Sequence, residues 1–372
     1  MKRAVKWTNT ALIVGFAALL AGPNLLWPIL RGSCDTVNHE NRTLASFPDA
    51  ETSLTQWPTA FEAWLSDNAP FRNEMLVLKA EVDRSIGTLD SSDVLQGKDG
   101  WLFLKDVGDS KSISDYQGLT AYSDAEKAEL SALIQQLNDE LSARGSRLLI
   151  LFAPAKEGVY SDRMPASIPI VSRPTQVQEL SAYLQANTAC PVLFPLPELT
   201  EAAAAQQVYY KYDTHWNNAG AWLAAQKTLA ALDMPAAHDW PLFLTEPEIP
   251  CPADLAAMCG RWNMASDDVY LEPDVPTAER IEGSDGAELM RFSGSGSNSL
   301  LLARDSYGAA LAPYLAEGFH DTLVLHGNVL TVDTLLAEQT TIPDTVVIEV
   351  AERFCGDLTG RVKVLLAWLE NY

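Results

Sequence analysis

Apolar residues recur along the chain with two different spacings, and their alternation predicts an α/β protein. Short buried-strand patterns occupy residues 148–152, 192–194, 299–303, 322–325 and 345–350. Between them, apolar residues recur at helical spacing. Ser123 with Glu126 forms a capping box that opens a helix to about residue 144. A second box, Thr175 with Gln178, opens a helix to about residue 186. Strands that alternate with helices in this way favour a doubly wound parallel sheet.

Further elements flank this core. Helical spacing extends over residues 53–86, 218–232 and 358–369, and residues 94–104 alternate around Gly97 and Gly100 as in a hairpin. Residues from about 234 to 298 are rich in Pro, Asp and Glu and lack a clear period. We expect this segment to be an insertion that acts as a lid or faces the substrate.

The N-terminus predicts export from the cytoplasm. Lys2, Arg3 and Lys6 precede an uncharged stretch over residues 7–30, which Arg31 ends. This stretch is long enough to cross a bilayer, and the basic residues before it favour a cytoplasmic N-terminus. We therefore predict a signal anchor over residues 1–31. Residues 32–372 would form one domain on the periplasmic side of the inner membrane. A cleaved signal peptide is the alternative.

Charge and cysteine content narrow the chemistry. With 26 Lys and Arg against 49 Asp and Glu, the net charge is -23, which argues against nucleic-acid binding. The five cysteines form no CxxC pair and show no metal-ligand spacing with histidine, so we expect neither a metal nor a cofactor. In an exported protein, either a Cys251–Cys259 disulfide or a clamp from Cys34 to one of these residues is plausible.

A histidine-based mechanism has few candidates in this chain, because its only histidines are His39, His215, His238, His320 and His326. His215 follows Asp213 by two residues in a loop between two predicted helices. This spacing lets a carboxylate orient an imidazole as a general base when the loop turns. The alternative is that Asp213 caps the next helix and His215 is an ordinary loop residue.

Ser306 is the candidate nucleophile. It lies where the apolar run 299–303 ends and a helix begins, the position at which α/β sheets bind ligands. A serine there exposes its hydroxyl and brings its backbone N–H to a helix N-terminus, where it can stabilise an oxyanion. The alternative is that Asp305 or Ser306 simply caps the helix.

The two segments resemble the signature blocks of the alginate O-acetyltransferase family, also described as DHHW-type exopolysaccharide acetyltransferases. These blocks are DTHW at residues 213–216, followed by Gly220, and RDSYG at residues 304–308. The resemblance extends from about residue 38 to 355. Supporting blocks are residues 40–44, 47–48, 67, 70–72, 97–103, 154–156, 160, 343–344 and 352–353.

The resemblance implies a fold similar to SGNH hydrolases with a permuted motif order, in which Asp213 and His215 precede Ser306. It implies Ser306 as nucleophile, His215 as base and Asp213 as the residue that orients it. Arg304 stands where the wider hydrolase pattern has glycine, so the second oxyanion donor is left open. Asn298 and Asn328 are candidates for that donor by residue type alone.

A function follows from the resemblance. Ser306 would accept an acetyl group, and His215 would then activate a hydroxyl of an exported polysaccharide, such as alginate. An integral-membrane acyltransferase partner would supply the acetyl group. We expect substrate contacts from basic and aromatic residues near the motifs, namely Lys156, Lys211, Arg304, Tyr212, Trp216 and Tyr307.

Two other functions fit the same motifs. A carbohydrate acetylesterase would use the same three residues and pass the acetyl group to water. A scaffold or polysaccharide-binding subunit would need no catalysis, and its function would not change in Ser306→Ala.

Overall fold

A computed structural model describes residues 2–38, 44–49, 52–85, 91–237, 239–244, 253–261, 268 and 271–371. His39, His238, Cys251 and the resemblance block at 40–43 lie outside these residues. The chain forms two compact units. The first comprises residues 1–94 and 254–264, and the second comprises residues 95–253 and 265–372. The predicted division at residue 31 stays a prediction.

Thirteen α-helices are present in the described residues. They are α1 Lys2–Leu30, α2 Trp57–Asp67, α3 Arg72–Ser85, α4 Ser112–Gln117, α5 Asp124–Ala143, α6 Lys156–Val159, α7 Gln176–Asn187, α8 Leu196–Ala203, α9 Asn218–Ala231, α10 Asp254–Met258, α11 Tyr307–Ala316, α12 Val332–Glu338 and α13 Leu358–Leu369. Short 3₁₀ turns occupy Arg31–Ser33, Lys98–Gly100 and Glu352–Asp357.

The described strands number eleven. They are β1 Val94–Gln96, β2 Leu102–Leu104, β3 Arg147–Ala153, β4 Val192–Leu193, β5 Phe243–Leu244, β6 Glu272–Pro273, β7 Glu279–Glu282, β8 Leu289–Ser293, β9 Ser299–Arg304, β10 Asp321–His326 and β11 Thr345–Ala351.

In the first unit, the N-terminal helix α1 contains a candidate membrane span. The span, Leu12–Ser33, runs three residues past the end of α1; it has a mean hydropathy of 1.8, and none of its residues is fully buried. Length and composition allow it to serve as an anchor or as a signal sequence.

The single helix predicted over residues 53–86 is wrong, because the structure has two helices, α2 and α3. Pro70 lies between them, and Phe71 adopts a left-handed backbone conformation with φ 58°. Proline disfavours a helical conformation in the residue before it and offers no backbone N–H.

The cysteines give a mixed outcome. Cys34 carries a free thiol beside the Glu74 carboxyl group, so the predicted clamp from Cys34 is wrong. Because Cys251 lies outside the described residues, the Cys251–Cys259 pair stays a prediction. Cys190 and Cys355 are buried, and burial raises the pKa of each thiol to about 12. Such thiols are inert packing groups.

The second unit is built on a seven-stranded sheet in the order β4-β3-β11-β9-β10-β8-β7. The first five strands are parallel, as predicted, and each is a nearly continuous apolar run. Alternate residues of β3 face opposite layers. Leu149 and Leu151 pack with the layer that includes α9 and α11, whereas Leu148 and Ile150 pack with α5 and α13. Helices therefore cover both faces, as a buried parallel sheet requires.

Part of the predicted insertion belongs to this sheet. β8 pairs antiparallel with β10, and β7 pairs antiparallel with β8, so the sheet is mixed. Met290 and Phe292 alternate toward the core along β8. The prediction of an insertion without regular structure is therefore wrong for these residues.

Both predicted capping boxes are present. Ser123 Oγ accepts a hydrogen bond from Glu126 N at 3.2 Å, and the Glu126 carboxylate accepts one from Ser123 N at 2.8 Å. Thr175 and Gln178 form the equivalent pair at α7. These local bonds explain why the starts of the two helices are readable from the sequence.

We expect Ser123→Ala to lower the free energy of unfolding by about 1 kcal/mol, because one N–H of the first turn of α5 loses its acceptor. Chemical denaturation measures the change. Ser142→Ala, an exposed position near the other end of the helix, is the control and should change stability by only a few tenths of a kcal/mol. Equal effects of the two substitutions would contradict the capping role.

Candidate active site

Ser306 lies at the carboxyl end of β9, the central strand of the sheet, immediately before α11. Its side chain forms no capping bond. Asp305 caps the start of α11 instead, because its carboxylate accepts a hydrogen bond from Tyr307 N at 3.0 Å. The same carboxylate accepts a second bond, from Ala351 N at 2.6 Å. A Cβ at Gly308 would come within 2.4 Å of the Arg304 Cβ, so glycine there lets α11 begin close against the sheet.

His215 projects from the loop between α8 and α9. The loop turns back on itself, since Tyr209 and Trp216 form an isolated β-bridge and Tyr210 N donates to His215 O at 3.2 Å. Asn217 caps α9 by accepting from Gly220 N at 3.0 Å. The capping task predicted as the alternative role of Asp213 therefore belongs to Asn217.

The three predicted catalytic side chains form a hydrogen-bonded chain. His215 Nε2 lies 2.8 Å from Ser306 Oγ, and His215 Nδ1 lies 2.7 Å from Asp213 Oδ1. Asp213 Oδ1 also accepts from the His215 backbone N at 2.9 Å. A proton on Nδ1 facing the carboxylate leaves Nε2 free to accept the serine proton. The geometry therefore suits an activated serine.

Lys156 holds the loop that carries His215 from the interior of the protein. Its side chain is 1% exposed, and its ammonium donates to the backbone oxygens of Asp213 at 2.6 Å, Tyr210 at 3.2 Å and Lys211 at 3.3 Å. This corrects its predicted role as a substrate contact, because the ammonium is directed at the loop and buried. Lys156 is a positioning residue.

Four of the other five predicted substrate contacts are also buried, and Arg304 and Tyr212 are two of them. Arg304 donates to the carbonyls of Asp305, Gly286 and Ala287, and its burial lowers the pKa of the guanidinium. Tyr212 is buried and does not line the cleft beside Ser306. Lys211, whose ammonium lies 5.1 Å from the Tyr212 ring centre, does not line it either.

Trp216 and Tyr307 lie in the wall of the cleft but are almost fully buried. Their rings meet edge to face with centres 5.1 Å apart, and Trp216 Nε1 donates to Tyr307 O at 3.1 Å. Tyr307 Oη donates to Thr214 O at 2.7 Å. Both aromatics thus join the loop of His215 to the helix after Ser306, and neither presents an open face for a sugar to stack on.

Ser306, His215 and Asp213 open onto a cleft of about 690 Å³, which we call the first cleft. Its charged lining is mainly acidic, because Glu272, Asp285 and Asp213 outnumber Arg280, which is itself paired with Asp285. Much of the wall comes from β7, β8 and the segment that joins them, all within the residues that the sequence predicted to act as a lid or face the substrate. The strands themselves were not predicted. The five-residue alternation around Met290 and Phe292 was the available signal.

The two asparagines considered as the second oxyanion donor differ in their position relative to Ser306. Asn298 precedes β9 and therefore lies at the opposite end of that strand from Ser306. Asn328 shares a cleft with Ser306, but its side-chain amide donates to Glu288 at 3.0 Å. The Ser306 backbone N–H donates no hydrogen bond to the described residues, which leaves that group available to a developing negative charge.

Buried carboxyl groups lie behind the site. Burial raises the pKa of Glu352 to about 7 and that of Asp115 to about 6, and it also raises the pKa of Glu157. Glu352 accepts from Ala155 N at 2.9 Å and so connects the end of β11 to the segment that carries Lys156. Repulsion from Glu157 adds to the rise in the pKa of both Glu352 and Asp115, which makes the ionised cluster costly.

The fold and site together define an α/β protein of the SGNH hydrolase-like class. The family model described as "SGNH hydrolase-like domain, acetyltransferase AlgX" matches residues 94–291, more than half of the chain. The chain therefore belongs to the AlgX family, which confirms the resemblance stated from the motifs. The matched region contains Asp213 and His215 and ends before Ser306.

The chain is also similar to individual proteins. The chain is 29% identical over 195 residues to "Probable alginate O-acetylase AlgJ" of Pseudomonas syringae pv. tomato, covering 51% of this chain and 47% of that protein. It thus spans about half the length of the curated relatives it matches. The solved "O-Acetyltransferase Domain of Pseudomonas putida AlgJ" is 20% identical, with a TM-score of 0.44 over 75% of this chain and 99% of that one. Bacillus cereus PatB1 with a sulfonyl adduct is 17% identical, with a TM-score of 0.48 over 73% and 99%.

Lys156→Met should lower both stability and turnover. Three loop carbonyls lose a buried charged donor, so the free energy of unfolding should fall by roughly 1–3 kcal/mol. Turnover of an activated ester should fall at least about tenfold as His215 loses its fixed position. Lys98→Met is the control, because that ammonium donates to a single carbonyl at an exposed turn. Wild-type turnover in a folded Lys156→Met protein would contradict the positioning role.

Glu352 should make the protein less stable as pH rises. Its pKa is about 7 in the folded chain against an ordinary value of 4.5. The folded state therefore holds a proton that the unfolded state releases, and stability is lost between about pH 4.5 and 7, by at most about 3 kcal/mol. Denaturation across this range should show a flatter profile for Glu352→Gln. Glu129→Gln, at an exposed position, should keep the wild-type slope; an equal slope in Glu352→Gln would contradict the assignment.

Proposed function

We propose that this protein is a serine-dependent O-acetyltransferase that acts on the hydroxyls of an exported or cell-surface polysaccharide. The observation that carries the proposal is the hydrogen-bonded chain from Ser306 through His215 to Asp213, open to the first cleft. Membership of an acetyltransferase family supports it. Ser306 would be the nucleophile, His215 the general base and Asp213 the group that orients it.

In the first half of the reaction, Ser306 Oγ attacks the carbonyl carbon of an acetyl donor while His215 Nε2 takes the hydroxyl proton. The tetrahedral intermediate then expels the donor's leaving group, which receives that proton from His215. The products are the acetylated serine and the protonated leaving group. The Ser306 N–H, at the start of α11, would stabilise the negative charge on the carbonyl oxygen.

In the second half, a sugar hydroxyl occupies the place of the leaving group. His215 takes its proton, the sugar oxygen attacks the acetyl carbon, and Ser306 departs with the proton that His215 returns. The acceptor must therefore approach from the first cleft, which His215 lines. Transfer of the acetyl group to the sugar outpaces its hydrolysis only if the bound sugar excludes water from the acetylated serine.

The setting of the reaction is part of the proposal. The apolar segment Leu12–Ser33 would anchor the chain as a single span in the inner membrane, with the catalytic unit in the periplasm. An integral-membrane acyltransferase would then pass acetyl groups across the bilayer to Ser306. Alginate is the candidate acceptor, since the relatives are named for its O-acetylation.

Intact-mass spectrometry of the full chain after exposure to p-nitrophenyl acetate tests the covalent step. We expect one added acetyl group that maps to Ser306 and is absent in Ser306→Ala. His215→Ala should slow its formation by roughly 100-fold or more. Ser295→Ala and His320→Ala, both exposed positions, are the matched controls and should acetylate at the wild-type rate.

Oligosaccharide added to the acetylated chain separates transfer from hydrolysis. Acetyl esters on the sugar support the transferase, whereas acetyl recovered solely as free acetate would make the protein an esterase. A folded wild-type chain with neither adduct nor ester turnover would instead favour the scaffold function.

A further inference from the structure

A second cleft, of about 610 Å³, opens on the other side of the nucleophile. Among the described residues, Ser306 is the one that lines both clefts, and His215 lines the first cleft alone. The second cleft is bounded by the end of β10, at His326, and by α13. Since proton transfer takes place on the His215 side, the second cleft is free to hold another part of a substrate.

Arg361 lies in the wall of this second cleft and is only 6% exposed. Its Nη1 donates to the backbone oxygen of Glu349. Within the described part of the chain, the guanidinium forms no other hydrogen bond and no ion pair. Its remaining guanidinium nitrogens are not among the buried polar atoms without a partner, so they stay accessible to solvent or to a ligand.

The backbone beside Arg361 leaves its guanidinium accessible from the cleft. A Cβ at residue 327 would lie 3.3 Å from Arg361 Nη2 and 3.6 Å from Cζ, so any side chain there would cover the guanidinium. Residue 327 is glycine, and it lines the same cleft. An oxygen atom of a ligand can therefore approach the N–H groups from the cleft side.

His326 provides a second donor in the same cleft. Its Nδ1 accepts a hydrogen bond from Asn328 N at 3.1 Å, which leaves the proton on Nε2. Burial and the nearby Arg304 lower the pKa of His326, so the ring stays neutral and Nε2–H remains a donor near pH 7.

The buried Glu349 carboxyl group interacts electrostatically with Arg361, but burial raises its pKa well above the ordinary value and so favours its neutral form. The two acidic residues that line the second cleft are not paired with Arg361. The Asp305 carboxylate accepts hydrogen bonds from two backbone N–H groups. Asp357 is exposed, and its carboxylate lies beyond ion-pair distance of Arg361. Acidic residues outnumber basic ones in the lining of both clefts, but the basic residue of the first cleft, Arg280, is paired with Asp285. An anionic group on a substrate of Ser306 would therefore be held better in the second cleft.

We propose that the second cleft binds an anionic group of a substrate, a carboxylate or a phosphate, through Arg361 and His326. The proposal rests on the proposed function, because it assigns the cleft to a substrate of Ser306. A carboxylate would come from a uronate unit of the acceptor, and a phosphate from the donor. Guanidinium groups suit both anions.

Gly360→Glu in the full chain tests this binding without altering either donor. Gly360 lines the second cleft on the exposed side of α13, and a Cβ there meets nothing within 4 Å. Gly360→Gln is the matched neutral control. Calorimetry on the detergent-solubilised Ser306→Ala chain, which cannot turn over, would measure Kd for a mannuronate hexamer, for inorganic phosphate and for neutral mannohexaose.

We expect Gly360→Glu to raise Kd for an anionic probe at least tenfold, while Gly360→Gln leaves it within about threefold. Loss confined to the hexamer would assign the site to an acceptor carboxylate, and loss confined to phosphate would assign it to a phosphate-bearing donor. Equal Kd values for the Glu and Gln variants, no binding of either anion, or equal weakening of mannohexaose would overturn the proposal.

The acetyl adduct on the unsubstituted chain separates this proposal from the proposed function. An adduct at Ser306 without charge-dependent binding would count against the second cleft alone. Charge-dependent anion binding without an adduct would uphold the second cleft as an anion site and count against the catalytic proposal.

Discussion

The buried ammonium of Lys156 is the contact on which the candidate active site depends. His215 and Ser306 are 91 residues apart in the chain and belong to different elements, yet their side chains meet at 2.8 Å. The loop that carries His215 has no regular structure to hold it beyond one β-bridge. Three of its carbonyl oxygens are fixed instead by one charged donor, and charge-assisted bonds in a buried setting are stronger than neutral ones.

Fixing the loop with a buried ammonium has an electrostatic cost. A buried ammonium is stable only if opposite charge or oriented dipoles lie nearby. The carbonyls of the loop provide the dipoles, and the carboxyl groups of Glu157 and Glu352 lie in the same layer beneath the site. Burial raises the pKa of both acids, and repulsion from Glu157 raises that of Glu352 further. The site is thus held by polar contacts that are costly to bury, an arrangement typical of functional regions, where stability is sacrificed for geometry.

The mixed sheet gives the two clefts their different character. The parallel strands end together at one edge and deliver Ser306, Lys156 and Glu352 to it, as expected for ligand sites in α/β folds. The antiparallel strands β7 and β8 extend the sheet beside β10 and build a wall of the first cleft. The second cleft is built instead from the end of β10 and from α13. The same serine therefore faces two clefts with different lining residues.

Features that depend on neighbouring residues were readable from the sequence. The capping boxes of α5 and α7 and the apolar runs of the parallel strands gave elements whose ends lie within a few residues of those observed. The motif positions likewise singled out Asp213, His215 and Ser306 as the candidate set. Backbone conformation set by less typical residues was not readable, since the left-handed Phe71 that divides α2 from α3 has no signal beyond the adjacent proline.

Tertiary structure alone decided which polar side chains face a substrate. Lysine and arginine are usually exposed, so Lys156 and Arg304 were natural candidates for substrate contacts. The structure buries both under loop carbonyls. It also places Arg361, which shares the buried face of α13 with Leu358 and Leu365, at the edge of a cleft. The sequence by itself determined the strands, the helix caps and the candidate chemical groups, because these depend on residues close along the chain. Burial and the direction of each charged group depend on chain segments that meet only after folding.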